Sequence, residues 1–134
     1  MKIEWTPALS VGIGEIDSQH REFISMIAAL PEDIKKTGHS INALETVKNL
    51  EEYAEKHFST EEMYMSIYAY PESQAHKDLH DMFRAEIGVM KEKALQDASA
   101  DTVNGINSQI YQWFLNHIIK TDMKLGVFLK AKLR

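Results

Sequence analysis

With 134 residues, 44% of them hydrophobic and 26% charged, the chain has the make-up of an ordinary globular protein long enough to bury a core. A net charge of −5 with scattered lysines argues against a nucleic-acid surface, and the absence of cysteine excludes disulfides, iron–sulfur clusters and thiolate zinc sites. No run approaches the roughly 20 apolar residues of a membrane span. The start, Met1-Lys2-Ile3-Glu4-Trp5, lacks a secretory core, so a cytoplasmic location is expected.

Residues 1–16 carry Pro7, Gly12 and Gly14 among apolar positions, which predicts an ordered, non-helical N-terminal arm. Asp17 or Ser18 suits an N-cap, and the helix it opens carries His20, Phe23, Ile24, Ile27 and Leu30 on one side. Pro31 should kink that helix or split it after Leu30, and Gly38 is a natural stop. Ser40 can cap a second helix with an inward stripe of Leu44, Val47, Leu50, Ala54, His57, Phe58, Glu61 and Met65. Pro71, taken as a first helical position, opens a third helix that aligns His76, Leu79, His80, Phe83, Ile87 and Met90. After a polar turn at 96–101, a fourth helix carries Val103, Ile106, Ile110, Trp113, Phe114 and His117. Leu125, Phe128 and Leu129 suit a short docked C-terminal helix. The expected fold is therefore all-α: one domain over 1–134, an antiparallel up-down four-helix bundle with a non-helical arm and a short C-terminal helix.

Five of the six histidines fall on the inward stripes, together with two carboxylates: His20, His57, Glu61, His76, His80, His117 and Asp122. His57 and Glu61, like His76 and His80, are spaced i, i+4, one turn apart on one helix face. A lone histidine on such a face is more often a hydrogen-bonded core residue. Seven polar residues on inward stripes of four helices are costly without a shared partner, and buried carboxylates need counter-charge. A metal centre satisfies both demands. Seven ligands suit two ions: five imidazoles, two bridging carboxylates and one bridging oxide or hydroxide fill eleven of twelve octahedral positions, leaving one vacancy for a small ligand. Mixed nitrogen and oxygen donors match iron. His39 reads as a solvated loop residue, Glu62 as a surface neighbour of Glu61, and Met26, Met63, Met65, Met82 and Met90 as helix-packing residues. Asp122 poses a geometric problem. At about 100° per residue, five steps turn it about 140° away from His117. A π-type bulge, or a helix end after His117, is predicted.

Asp17-Ser-Gln-His20, His57-Phe-Ser-Thr-Glu61-Glu62, His76-Lys-Asp-Leu-His80 and Trp113-Phe-Leu-Asn-His117-Ile-Ile-Lys-Thr-Asp122 resemble the four ligand motifs of the hemerythrin family, in order and across essentially the whole chain. Trp5 followed by Leu9-Ser-Val-Gly-Ile13 resembles the arm of its bacterial members. The resemblance implies that His76, His80 and His117 bind one iron and His20 and His57 the other. Glu61 and Asp122 would bridge the pair, and dioxygen would bind end-on at the two-histidine iron as a hydroperoxide. Trp113, Leu115 and Ile118 would line the oxygen pocket. The function implied is reversible dioxygen binding (carriage, storage or supply to an oxygen-using client enzyme) by a monomer that is not itself an enzyme. A di-iron enzyme or sensor acting on oxygen, peroxide or nitric oxide is the alternative.

Overall fold

The computed structural model describes residues 3–37 and 43–133. Four long helices, α1 (Gly14–Thr37), α2 (Ala43–Ile67), α3 (Ser73–Gln96) and α4 (Ala100–His117), form a four-helix bundle. Each packs against its neighbours in sequence, and α1 closes the ring against α4. Beyond His117 the chain passes through a π-helical segment, Ile118–Asp122, into a short α5, Met123–Lys132. Among the described residues there is no strand. The expected stripes face inward as read, except that Leu44, Leu79 and Trp113 are half-buried and Ala43 is buried. Met65 and Met90 are core, whereas Met63 and Met82 are exposed, so these two do not pack the bundle. Gly38, His39 and Ser40 lie outside the described residues.

Two helix starts and the arm differ from the sequence reading. Helix α1 begins at Gly14, not at Asp17. The Asp17 carboxylate instead turns back on the arm, where Oδ1 accepts from the Val11 backbone N–H (2.8 Å) and Oδ2 from the Ser10 hydroxyl (2.5 Å). The arm is not wholly non-helical, because Pro7–Leu9 form one 3-10 turn. Pro71 precedes α3, whose first residue is Ser73 and whose cap is Glu72. The preceding α2 ends at Ile67 and is closed two residues on by Ala69, in the left-handed region at φ 52°. There Ala69 N–H bonds Ser66 O (3.4 Å) and Tyr70 N–H bonds Met65 O (2.9 Å), the paired bonds of a Schellman end. Alanine is the costlier residue for this conformation. Ala69→Gly should raise the stability of the protein by about 1 kcal/mol in denaturant unfolding.

Pro31 does not split α1, which runs on to Thr37. Buried Leu30 and Ile34 hold both sides of it to the core. A proline at 31 cannot donate to the carbonyl four residues back, so the Ile27 carbonyl loses its helical partner. Asn107 replaces it: its side-chain amide, buried on α4, donates to Ile27 O at 2.9 Å. Asn107 therefore answers a gap that Pro31 creates. Asn107→Leu should destabilise the protein by about 1–3 kcal/mol, the cost of leaving a buried carbonyl unpaired. In a Pro31→Ala background the backbone N–H returns, and the same substitution should cost measurably less. Equal costs in the two backgrounds, read in a double-mutant cycle, would show that the pair is not coupled.

Candidate metal centre

The seven residues picked from the sequence converge in the middle of the bundle. His20 comes from α1, His57 and Glu61 from α2, His76 and His80 from α3, His117 from the last residue of α4, and Asp122 from the end of the π segment. None is more than 4% exposed. The π segment solves the five-residue problem as expected. The Met123 N–H bonds Ile118 O, five residues back, and this wider turn returns Asp122 to the face of His117.

Their donor atoms fall into two groups that share both carboxylates, within 4.8 Å of one another in each: His76, His80 and His117 with Glu61 and Asp122, and His20 and His57 with the same two acids. Glu61 Oε1 lies 3.3 Å from His76 Nε2 and 3.1 Å from His80 Nε2, and Asp122 Oδ1 lies 3.1 Å from His76 Nε2 and 3.0 Å from His117 Nε2. On the other side, Asp122 Oδ2 is 3.0 Å from His20 Nε2, and Glu61 Oε2 is 3.4 Å from His57 Nε2. Each acid thus offers one oxygen to each histidine group. Metal–nitrogen bonds of about 2.1 Å would place adjacent octahedral ligands about 3.0 Å apart, the spacing seen here.

The outward ring nitrogens fix what the inward ones can do. His57 Nδ1–H donates to Gln19 Oε1 (2.9 Å), and Gln19 Nε2 donates in turn to the Thr60 hydroxyl (3.0 Å). His80 Nδ1–H donates to Glu62 Oε2 (2.7 Å). In the neutral tautomers these bonds select, the Nε2 atoms present lone pairs inward, toward two carboxylates. Glu61 Oε2 and both Asp122 oxygens are buried and accept no well-aligned hydrogen bond. Such a ring of lone pairs and anions suits a cation at its centre.

The electrostatics agree. Burial opposes charging His57, but Glu61 and Asp122 outweigh it and raise its pKa to about 9. The same contest raises His117 to about 10 and shifts His76 upward. Burial and the charge of Asp122 push Glu61 up, yet His57 and His117 hold it well below the usual carboxylate range. Asp122 is likewise pushed up by burial and brought down further by His117, His20 and His57. The cavity draws positive charge, as protons or as metal.

A model of the Hemerythrin HHE cation binding domain matches residues 11–129. The chain belongs to the hemerythrin family. It is 30% identical over 118 residues to the bacteriohemerythrin of Pseudomonas aeruginosa strain LESB58, covering 88% of this chain and 75% of the relative. To the hemerythrin-like protein of Naegleria gruberi it is 31% identical over 122 residues, covering 90% and 87% of the two chains. The bacteriohemerythrin of Methylococcus capsulatus is 29% identical over 130 residues, 95% of this chain and 96% of the relative. A crystal structure of a leucine-to-phenylalanine mutant superposes with a TM-score of 0.76 at 28% identity, covering 94% of this chain and 96% of that one. Membership of this family and the histidine–carboxylate cluster together support non-haem iron binding, and the cluster fits a di-iron site.

Around this hemerythrin cluster the walls are aromatic. Phe58 stacks on His80 (4.0 Å) and Trp113 on His117 (4.6 Å), both at 14° between ring planes. Trp113, singled out for the oxygen pocket, thus lies beside the three-histidine group. The ring that faces His20 and His57 edge-on, at 5.2 and 5.8 Å, is Phe114. Ile118 is fully buried and Leu115 half-buried. Glu62 is not the surface residue its position suggests: its side chain is 23% exposed and its carboxylate holds His80. Gln19 and Glu62 were missed as partners of the site, although one signal was available. Every imidazole of the cluster has a second nitrogen to satisfy, and each of these residues is the polar neighbour of a cluster residue in sequence. Among the described residues, no helix is long and apolar enough to cross a membrane.

Proposed function

We propose that this protein binds dioxygen reversibly at a non-haem di-iron centre, as a carrier, a store or a supply for an oxygen-using enzyme. His76, His80 and His117 would hold one iron and His20 and His57 the other, with Glu61, Asp122 and an oxide or hydroxide bridging. One observation carries the reading: both carboxylates give one oxygen to each histidine group. The first group then supplies five ligand atoms and the second four. With a bridging oxygen, the three-histidine iron would have six ligands and the two-histidine iron five, with one position free. The open position is where such a centre would take up dioxygen, the irons supplying the electrons.

The remaining work belongs to the chain. Glu61 and Asp122 would neutralise the irons, one oxygen of each facing each histidine group. Gln19 orients His57. Phe114, itself edge-on to Phe23 at 4.7 Å, keeps an apolar ring against His20 and His57, which excludes water where the open position would lie. The test is the visible spectrum of the reduced iron-loaded protein, taken before air, after air and again after argon. A charge-transfer band that appears and then disappears supports carriage. Irreversible bleaching, or steady consumption of oxygen with a reductant, would replace this reading with an oxidase or peroxidase.

A further inference from the structure

The ligand histidines differ in what holds their outward nitrogens. His80 donates to a carboxylate, Glu62, at 2.7 Å, and His57 donates to a neutral amide, Gln19, at 2.9 Å. The Nδ1 atoms of His20 and His76 are buried without a hydrogen-bond partner. Charge on the acceptor therefore reaches only one side of the centre through these bonds. Glu62 is itself held by Arg84 Nη2 at 3.1 Å. The same guanidinium bonds Glu55 and Asp81, each at 2.7 Å, which pins it across α2 and α3. It also lies over the Phe58 ring at 5.3 Å, and Phe58 stacks on His80. His80 is thus fixed within its ring plane by Glu62 and across that plane by Phe58, and Arg84 contacts both.

We propose that Glu62, held by Arg84, is a positioning residue for His80 and makes the three-histidine position the tighter and more electron-rich of the two. The proposal rests on the di-iron reading above. The carboxylate accepts the Nδ1 proton, so the Nε2 lone pair faces Glu61 Oε1, 3.1 Å away. An anionic acceptor also draws that proton partly off the ring, which makes Nε2 a stronger donor than an imidazole bonded to an amide. The first equivalent of metal therefore enters the three-histidine position, and the ferric state of that iron is stabilised over that of its neighbour.

The experiment titrates metal-free protein with Co2+ against a competing chelator, and separately measures the reduction potential of the iron-loaded form. Glu62→Gln keeps an acceptor oxygen and removes the charge, and Glu62→Ala removes both. Glu62→Ala should weaken the tighter of two binding steps about 10–100-fold and leave the other unchanged. Glu62→Gln should lose less affinity yet still raise the reduction potential, a change that loss of packing alone does not produce. Arg84→Met, which leaves Glu62 unheld, should fall between wild type and Glu62→Ala. Two unchanged binding steps and an unchanged potential in Glu62→Gln, with wild-type protein binding two metals, would overturn the proposal. Fewer than two metals on the wild-type protein would overturn the di-iron reading itself. If Glu62→Ala does not fold, the Glu62→Gln potential decides alone.

Discussion

Glu61→Ala should empty both metal positions, taking bound iron from about two per chain to near zero. Glu61 reaches both groups, through Oε1 to His76 and His80 and through Oε2 to His57. Its loss removes a ligand from each proposed iron and half of the carboxylate charge that neutralises the pair. The five histidines would then share Asp122 as the single anion among the six remaining residues of the cluster. His57→Ala is the informative comparison, because it removes a ligand from the two-histidine group alone and should leave about one iron. Metal analysis and thermal unfolding read the two variants together, since bound metal stabilises the folded chain by mass action. The Glu61 variant should lose the whole metal-dependent rise in Tm and the His57 variant part of it. Two irons retained by Glu61→Ala would end the shared-carboxylate account, and zinc in protein made under iron-replete conditions would end the di-iron reading.

Ile118→Glu should accelerate irreversible oxidation of the reduced protein in air while leaving iron near two per chain. Ile118 is fully buried and follows His117 directly at the start of the π segment. A carboxyl group there enters an apolar region, where it can relay a proton to the bound ligand or compete for an open metal position. Leu115→Asn should act in the same direction but more weakly, because Leu115 is already half-exposed and its replacement carries no charge. Stopped-flow mixing with oxygen, followed by the slow decay of the oxygenated band, measures both. Decay at the wild-type rate in both variants would remove Leu115 and Ile118 from the pocket. Phe114, the ring that does touch His20 and His57, would then be the wall to vary.

The histidine–carboxylate cluster was legible because its helices repeat: i, i+4 spacing projects His57 with Glu61, and His76 with His80, onto one face regardless of what lies opposite. The π segment was legible for the converse reason, since a regular helix cannot bring His117 and Asp122 together. What escaped depends on the neighbouring helix. Glu62 stands about 100° round from Glu61 and reads as surface, and only the approach of α3 brings it to His80. Asn107 and Ile27 are 80 residues apart, and no local pattern announces that a side chain on α4 will serve a carbonyl on α1. Of the kink or split expected at Pro31, the split does not occur, because the rule for proline considers one helix alone. Packing on both sides and one borrowed amide keep α1 whole.

The wider turn at Ile118–Asp122 reaches further than Asp122. Every residue after it is rotated relative to α4, including Leu125, Gly126 and Leu129, the buried face of α5. Gly126 lies so close to the arm that a Cβ there would overlap the Val11 carbonyl oxygen. The seat of the N-terminal arm therefore exists only in the helical phase that follows the π turn. Remove one residue between 118 and 121, and the chain would lose the phase that presents both Asp122 to the histidines and Gly126 to Val11. Ends of the chain more than a hundred residues apart are keyed to the histidine–carboxylate cluster by a single residue's worth of extra helix.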